Sequence, residues 1–302
     1  MDLKSKIILL SGPTASGKSN FAIKLAKKIK GEIINADSMQ VYKELRILTA
    51  RPLKKEYQNI NHYLYGFLSV KKKFSTGKWL KLAIEKIYKI KKRNKIPILV
   101  GGTGLYFKAL TDGLVEIPNI PEEFRNKIRN LQKNLGQKNF YKKLIKLDPL
   151  IYEKIKPTDI QRTIRAYEVK SYTGKSIIEW FKNTKANFFD EDFVKIYIDF
   201  PRKDLLDKIS KRVIKMFKQG AIPEVKKFLK LKIGKKMTSN NVIGIYEIRD
   251  FLNKKSNLNE VIDKITVKTR QYAKRQSTWA RGQMINWQKI NPKDIKIFLK
   301  KI

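Results

Sequence analysis

Residues 12–19, Gly-Pro-Thr-Ala-Ser-Gly-Lys-Ser, match G-x-x-x-x-G-K-[ST] at every position. The flanks match as well. Lys6-Ile7-Ile8-Leu9-Leu10 reads as a short buried strand, and Phe21, Ala22, Leu25, Ala26 and Ile29 fall on one face of a 3.6-residue helix. Strand, glycine-rich turn and helix together make a phosphate cradle. Backbone N–H groups of the turn and the positive end of the helix dipole face the anion. Lys18 adds a point charge, and the Ser19 hydroxyl is placed to hold Mg2+. Gly12, Pro13, Thr14, Ala15, Ser16, Gly17, Lys18 and Ser19 are therefore the expected binding site for a di- or triphosphate.

The rest of the chain alternates strand and helix. Glu32-Ile33-Ile34-Asn35 is a second strand, residues 78–92 form a helix with Leu80, Ala83, Ile84 and Ile87 inward, and Ile96-Pro97-Ile98-Leu99-Val100 is a third strand. The third strand is apolar throughout, as expected for one buried on both faces. Such alternation implies an α/β fold, a P-loop NTPase-like parallel sheet flanked by helices. From Pro118 and Pro121 to about Asn187 the pattern is helical only. Phe193-Val194-Lys195-Ile196-Tyr197-Ile198-Asp199 then returns to the sheet, and the remainder reads as helix with a short tail. The expected organisation is a core in two parts, 1–117 and 191–302, with an all-helical insertion at 118–190.

Composition narrows the partners. The 302-residue chain is 42% hydrophobic, enough for a packed core, and carries a formal charge of +41. A lysine-rich codon bias accounts for the size of that charge. A polyanionic partner, nucleic acid or an anionic membrane surface, explains how a compact chain tolerates it. The absence of cysteine excludes disulfides and thiolate metal sites and fits the cytoplasm. No apolar run reaches the roughly 18 residues of a membrane span, so no membrane partner is expected. The single histidine, His62, excludes two-histidine metal motifs and is read as structural.

Further candidate sites lie beyond the carboxyl ends of strands, where α/β proteins place their chemistry. After the second strand comes Ala36-Asp37-Ser38-Met39-Gln40, whose Asp37 is either a carboxylate reaching the mouth of the phosphate loop or a helix N-cap. After the third comes Gly101-Gly102-Thr103-Gly104, either a backbone that lets a ligand approach, with the Thr103 hydroxyl beside it, or a tight structural turn. No Walker-B acid ends that strand, which argues against routine ATP hydrolysis. A helix opening at Arg202 has an apolar stripe of Leu205, Ile209, Val213 and Met216, and any of Lys208, Lys211, Arg212 and Lys215 is able to clamp a diphosphate. On a later helix Arg270, Lys274 and Arg281 share one face, interleaved with Tyr272 and Trp279, a pattern suited to RNA phosphates and bases or to a solvated basic face beside core aromatics.

In this order the blocks resemble one family, the tRNA dimethylallyltransferases or tRNA isopentenyltransferases. The blocks are the phosphate loop, Asp37-Ser38-Met39-Gln40-Val41-Tyr42, Thr49-Ala50-Arg51-Pro52 and Gly101-Gly102-Thr103-Gly104-Leu105-Tyr106. They continue with Asp159-Ile160-Gln161-Arg162-Thr163-Ile164-Arg165-Ala166-Tyr167-Glu168-Val169 and Ala273-Lys274-Arg275-Gln276-Ser277-Thr278-Trp279. The resemblance implies a prenyltransferase that moves a dimethylallyl group from its diphosphate to N6 of the adenine immediately 3′ of the anticodon. It further implies that the loop binds a leaving diphosphate rather than ATP, with Mg2+ on Ser19, and that Arg212 faces that diphosphate. It places Thr103 and Arg125 near the reacting nucleotide, sets Asp37, Ser38, Met39 and Gln40 together with Gln161, Arg162, Thr163, Ile164 and Arg165 against the anticodon loop, and gives Asp37 the amine proton. The helical insertion would clasp the anticodon stem-loop, and a monomer suffices. The chain departs from the family at Asn61-His62, where a His-His pair is common, and at Tyr65, where an acid is common. Rival expectations are a P-loop kinase, an RNA-binding nucleotide switch, and an isopentenyltransferase acting on free AMP.

Overall fold

The structure is a computed structural model that describes residue 3 and residues 5–301. Its elements in chain order are β1 (Ile7–Ser11), α1 (Lys18–Ile29), β2 (Gly31–Asn35), β3 (His62–Tyr63), α2 (Thr76–Lys91), β4 (Ile96–Gly101) and α3 (Gly104–Thr111). Then come α4 (Glu122–Leu147), α5 (Ile160–Thr173), α6 (Ile177–Lys182), β5 (Phe193–Ile198), α7 (Arg202–Lys218), α8 (Ala221–Lys230), α9 (Ile245–Leu252), α10 (Leu258–Gln283), β6 (Gln288–Ile290) and α11 (Ile295–Lys301). The chain forms two compact units. One runs to Thr111 and resumes at Phe188, and the other is Asp112–Asn187.

The larger unit is built on a six-stranded parallel sheet in the order β3-β2-β4-β1-β5-β6. Side chains alternate across each strand. Ile7, Leu9, Ile34 and Leu99 therefore pack on one face with Trp79, Ala83 and Ile87 of α2 and Phe107 of α3. Ile8, Leu10, Ile33 and Ile98 pack on the other with Phe21, Ala22, Leu25 and Ala26 of α1. Both faces are covered, which accounts for the unbroken apolar runs in β1 and β4. A further helical layer joins α7 to α10, with Leu205, Ile209, Val213 and Met216 all buried. The smaller unit is helical. Phe140, Leu144, Ile151, Ala166 and Val169 form its centre, and α4 is broken at Gly136, where φ is 69°.

Two strands depart from the sequence reading, which has only helix after β5. β3 and β6 are edge strands of two and three residues, too short for any alternation to register. His62 lies in β3, where its ring stacks on Tyr57 at 3.8 Å and its Nδ1 meets the Ile60 carbonyl at 2.8 Å. Both contacts are structural.

Because every strand is parallel, the carboxyl ends of β2, β4 and β1 meet along one edge of the sheet. The opposite end of β2 is anchored by Glu32, whose carboxylate is 1% exposed and accepts from Arg93 (2.6 Å), Lys95 (2.9 Å), Asn61 (2.8 Å) and Tyr63 (2.8 Å). Burial pushes its pKa up, but the donors, Lys95 foremost, outweigh it and hold the group at about 2. The stabilisation is thus complete above the ordinary carboxylate value of 4.5 and is lost as pH falls towards 2. Replacing Glu32→Gln is expected to cost about 2 kcal/mol at pH 7, the scale of a charged hydrogen bond. Denaturant melts should show that difference shrinking as the pH is lowered through this window.

Candidate active site

β1 ends at Ser11, and residues 12–17 turn into α1 with Ala15 at φ 65° and Gly17 at φ 82°. The first-turn N–H groups of a helix have no internal acceptor, so those of Lys18 and Ser19 are available to an anion. Within the loop, Ser16 is 2% exposed and its Oγ has no hydrogen-bond partner among the described residues. An orphaned buried hydroxyl in this position fits a site completed by a ligand.

Two cations converge on the loop. Lys18 Nζ donates to the Pro13 carbonyl at 3.2 Å, and Arg212 Nη1, from α7, donates to Thr14 Oγ1 at 2.9 Å. Burial lowers the Lys18 ammonium to about 8, with Asp37 pulling it up and Arg212 pushing it down. Burial also lowers Arg212, against the pull of Asp37. Of the four cations of α7 that the sequence leaves open, Arg212 is the one hydrogen-bonded to the loop.

Asp37 follows β2. Its Oδ1 accepts from the N–H groups of Met39 (2.9 Å) and Gln40 (3.4 Å), but turns rather than a helix follow, so the N-cap alternative does not hold. This is a side-chain turn that spends one carboxylate oxygen and leaves Oδ2 without a donor among the described residues. The carboxylate is placed by Asn35, whose side chain accepts from Asp37 N at 3.0 Å and donates to the Asp37 and Leu64 carbonyls. Asn35 is fixed in turn by Trp79, whose indole donates to the Asn35 carbonyl at 2.8 Å. Burial and the Asp37 charge together raise the phenols of Tyr65, Tyr106 and Tyr272, which keeps them neutral donors.

The glycine turn after β4 settles on close packing. A Cβ on Gly102 would lie 2.1 Å from Gln276 Nε2, and one on Gly104 would lie 2.2 Å from the Trp279 ring. The glycines admit α10, and both also line a cavity beside it. Gln276 then bridges two loops, accepting from Thr14 N–H at 2.8 Å and donating to the Gly102 carbonyl at 2.9 Å. Thr103 Oγ1 accepts from Ser38 N–H at 2.9 Å and donates to Ser38 Oγ at 3.3 Å, tying the turn to the Asp37 loop. The bridging role of Gln276 is not legible in the sequence because its partners, Thr14 and Gly102, are distant along the chain.

Two cavities adjoin this junction. One, of about 250 Å3, is lined by Gly12, Ser38, Thr103, Tyr197, Tyr272, Arg275, Gln276 and Trp279. Its aromatic and polar walls suit a planar heterocycle. The other, of about 280 Å3, is lined by Asp37, Arg212, Tyr272 and Arg275 among its polar residues and by Leu48, Val213, Met216, Val242, Ile243 and Ile265 among its apolar ones. It suits an apolar group attached to an anion.

The remaining candidates separate. Arg270, Lys274 and Arg281 do line one cleft, together with Arg202 and Asp199, while Tyr272 and Trp279 face the first cavity. The face of Arg270, Lys274 and Arg281 is therefore distinct from that of Tyr272 and Trp279, which Arg275 shares. Met39 and Gln40 are half-buried, and Gln40 Nε2 is committed to the Thr49 carbonyl at 3.0 Å. In the helical unit, Gln161 and Arg162 are exposed, and Arg125 and Arg165 pair with Glu168. Thr163 (0% exposed) and Ile164 (8%) turn their side chains into that unit's core.

The Lys18 ammonium sets a pH dependence. It holds its proton less tightly folded than at its ordinary 10.5, so stability rises with pH from about 8 to 10.5, and Lys18→Met should not destabilise the chain at pH 7. A bound diphosphate must raise that pKa. Calorimetry near pH 8 in buffers of different ionisation enthalpy should show proton uptake with diphosphate, absent in Lys18→Met. Independently, Gln276→Ala should weaken diphosphate binding about 10-fold, the worth of one loop-anchoring hydrogen bond.

Residues 40–283 match the IPP transferase family model. The tRNA dimethylallyltransferase of Pelagibacter ubique is 60% identical over 302 residues, covering 100% of this chain and 96% of that protein. The tRNA dimethylallyltransferase of Agrobacterium fabrum is 40% identical over 97% of this chain and 99% of its own length. Among solved structures, the tRNA isopentenylpyrophosphate transferase of Bacillus halodurans superposes with a TM-score of 0.70 at 32% identity, over 98% of this chain and 95% of that one. A eukaryotic dimethylallyltransferase described as acting on tRNA gives 0.81 at 30% identity, over 95% and 73%. The phosphate loop, the carboxylate that faces it and these likenesses along the full chain agree: the protein belongs to the IPP transferase family.

Proposed function

We propose that this chain transfers a dimethylallyl group from dimethylallyl diphosphate to N6 of the adenosine immediately 3′ of the anticodon in tRNA, releasing diphosphate. The observation that carries the reading is the position of Asp37. Its charge is felt at both cations that meet the phosphate loop, Lys18 and Arg212, and it lines a cavity that also carries an apolar wall of Leu48, Val213, Met216, Val242, Ile243 and Ile265.

The diphosphate binds on the amides that open α1, between Lys18 and Arg212. The five-carbon tail lies in the apolar cavity, and the adenine, turned out of its loop, lies against Tyr272 and Trp279. In the transfer, the allylic C1–O bond breaks with its electron pair going to the diphosphate, and the N6 lone pair forms the C1–N bond. The N6 proton passes to the free oxygen of Asp37. Lys18 and Arg212 meet the charge that develops on the leaving group, where preorganised donors contribute most. Thr103 and Gln276 hold the two loops in register, so the reacting atoms stay aligned.

Among the described residues no cluster of three or more His, Asp or Glu is able to hold a metal. A magnesium ion here would be held by Ser19, phosphate oxygens and water, a set that fits this hard cation. Bound there, it neutralises charge on the departing diphosphate. Among the described residues no helix is long and apolar enough to cross a membrane. We place the enzyme in the cytoplasm with its RNA, acting as a monomer, since one chain supplies every residue named.

Incubation with Mg2+, an unmodified anticodon stem-loop and either dimethylallyl diphosphate or ATP tests this directly. Mass spectrometry should show one dimethylallyl group added to the RNA, with the allylic diphosphate only. Asp37→Asn keeps the oxygen that holds the turn while removing the base, and it should slow transfer about 100-fold with little effect on diphosphate binding. An unchanged rate would reduce Asp37 to its turn. Phosphoryl transfer from ATP would select a kinase, transfer to free AMP the small-molecule prenyltransferase, and binding without chemistry a switch.

A further inference from the structure

In the helical unit three guanidinium groups gather on one carboxylate. Glu168 of α5 is 1% exposed, Arg125 Nε lies 3.3 Å from its Oε2, and Arg165 Nη1 lies 3.4 Å from the same oxygen. Arg129 Nε is 3.8 Å from Oε1, an ion-pair distance and not a hydrogen bond, so that buried oxygen has no hydrogen-bond partner. Three positive charges against one leave the cluster at +2. Each arginine side chain remains between 37% and 41% exposed.

The donor count decides what such a cluster suits. A guanidinium carries five N–H donors, and a carboxylate accepts only a few. Arg125 and Arg129 both turn Nε towards Glu168, which leaves the paired terminal nitrogens of each, the edge that forks onto phosphate, uncommitted to it. A cluster built only for stability would match its charges and saturate its carboxylate. This one does neither.

We propose that Arg129 joins Arg125 and Arg165, which the family resemblance already sets against the RNA, in a subsite for a phosphate of the RNA backbone. Glu168 is the positioning residue that holds the three guanidinium groups together, and Arg129 is a contact residue that neither motif nor periodicity singles out. The proposal rests on the reading that this chain takes RNA as substrate.

The test measures anticodon stem-loop affinity against salt for the parent, Arg129→Ala, Arg129→Lys and Glu168→Gln, with thermal melts and diphosphate KM alongside. The parent should bind with a steep salt dependence. Arg129→Ala should bind about 5- to 10-fold more weakly, with the log–log slope reduced by about 0.7–0.9, one phosphate contact. Arg129→Lys should restore the slope but only part of the affinity, because a point charge replaces a fork. Glu168→Gln raises the net charge yet should weaken RNA binding, the reverse of what bulk attraction gives. Diphosphate KM should not change in any variant. Unchanged RNA affinity and slope in Arg129→Ala, or tighter binding by Glu168→Gln, overturns the subsite while leaving the proposed function standing. A parent that binds no RNA overturns both. If a variant melts early, the Arg129→Lys comparison at a temperature where it is folded decides.

Discussion

One carboxylate set among cations organises the site. Asp37 raises the proton affinity of Lys18 and Arg212 while burial lowers both, so the loop's two cations are held charged beside a group that opposes their charge. The balance serves a reaction that releases an anion. A fully exposed lysine would lose its pull to solvent, and at the buried Lys18 Asp37 returns part of the proton affinity that burial removes. Much of the surrounding architecture places that carboxylate: Trp79 fixes Asn35, Asn35 fixes Asp37, and Thr103 fixes the neighbouring Ser38.

Helix α10 is the second organising element. Its approach to the turn after β4 is possible only because Gly102 and Gly104 lack side chains, and the contact puts Gln276 between two loops and Trp279 in the cavity wall. The glycines are thus structural in cause and functional in effect. They bring an element from the far end of the chain onto the phosphate loop, 262 residues from Gln276 to Thr14.

The parts legible in the sequence were those with a strong local pattern. The phosphate loop, the buried runs of β1 and β4 and the stripe of α7 each carry their periodicity or spacing within a dozen or so residues. Edge strands β3 and β6 carry no readable signal, because two or three residues show no period. The helical unit runs from Asp112 to Asn187, while the change of pattern at Pro118 and Pro121 suggests 118–190; residues 112–117 form neither helix nor strand, so they carry no period to read. Thr163 and Ile164 sit in a segment marked as a whole by family resemblance. α5 sends alternate faces to core and solvent, so a contiguous motif cannot be a contiguous contact surface. Gln276, and Glu168 in its pairing with Arg125 and Arg129, act through partners that only folding brings near.

The measurement that bears most directly on this account is a crystal structure with a sulfur-bridged, unreactive analogue of dimethylallyl diphosphate. The diphosphate should lie on the amides of residues 17–19, between Lys18 and Arg212, with Ser16 Oγ gaining its missing partner and the tail among Leu48, Val213 and Met216. A diphosphate bound away from this loop, or a tail pointing from Asp37 into solvent, would contradict it.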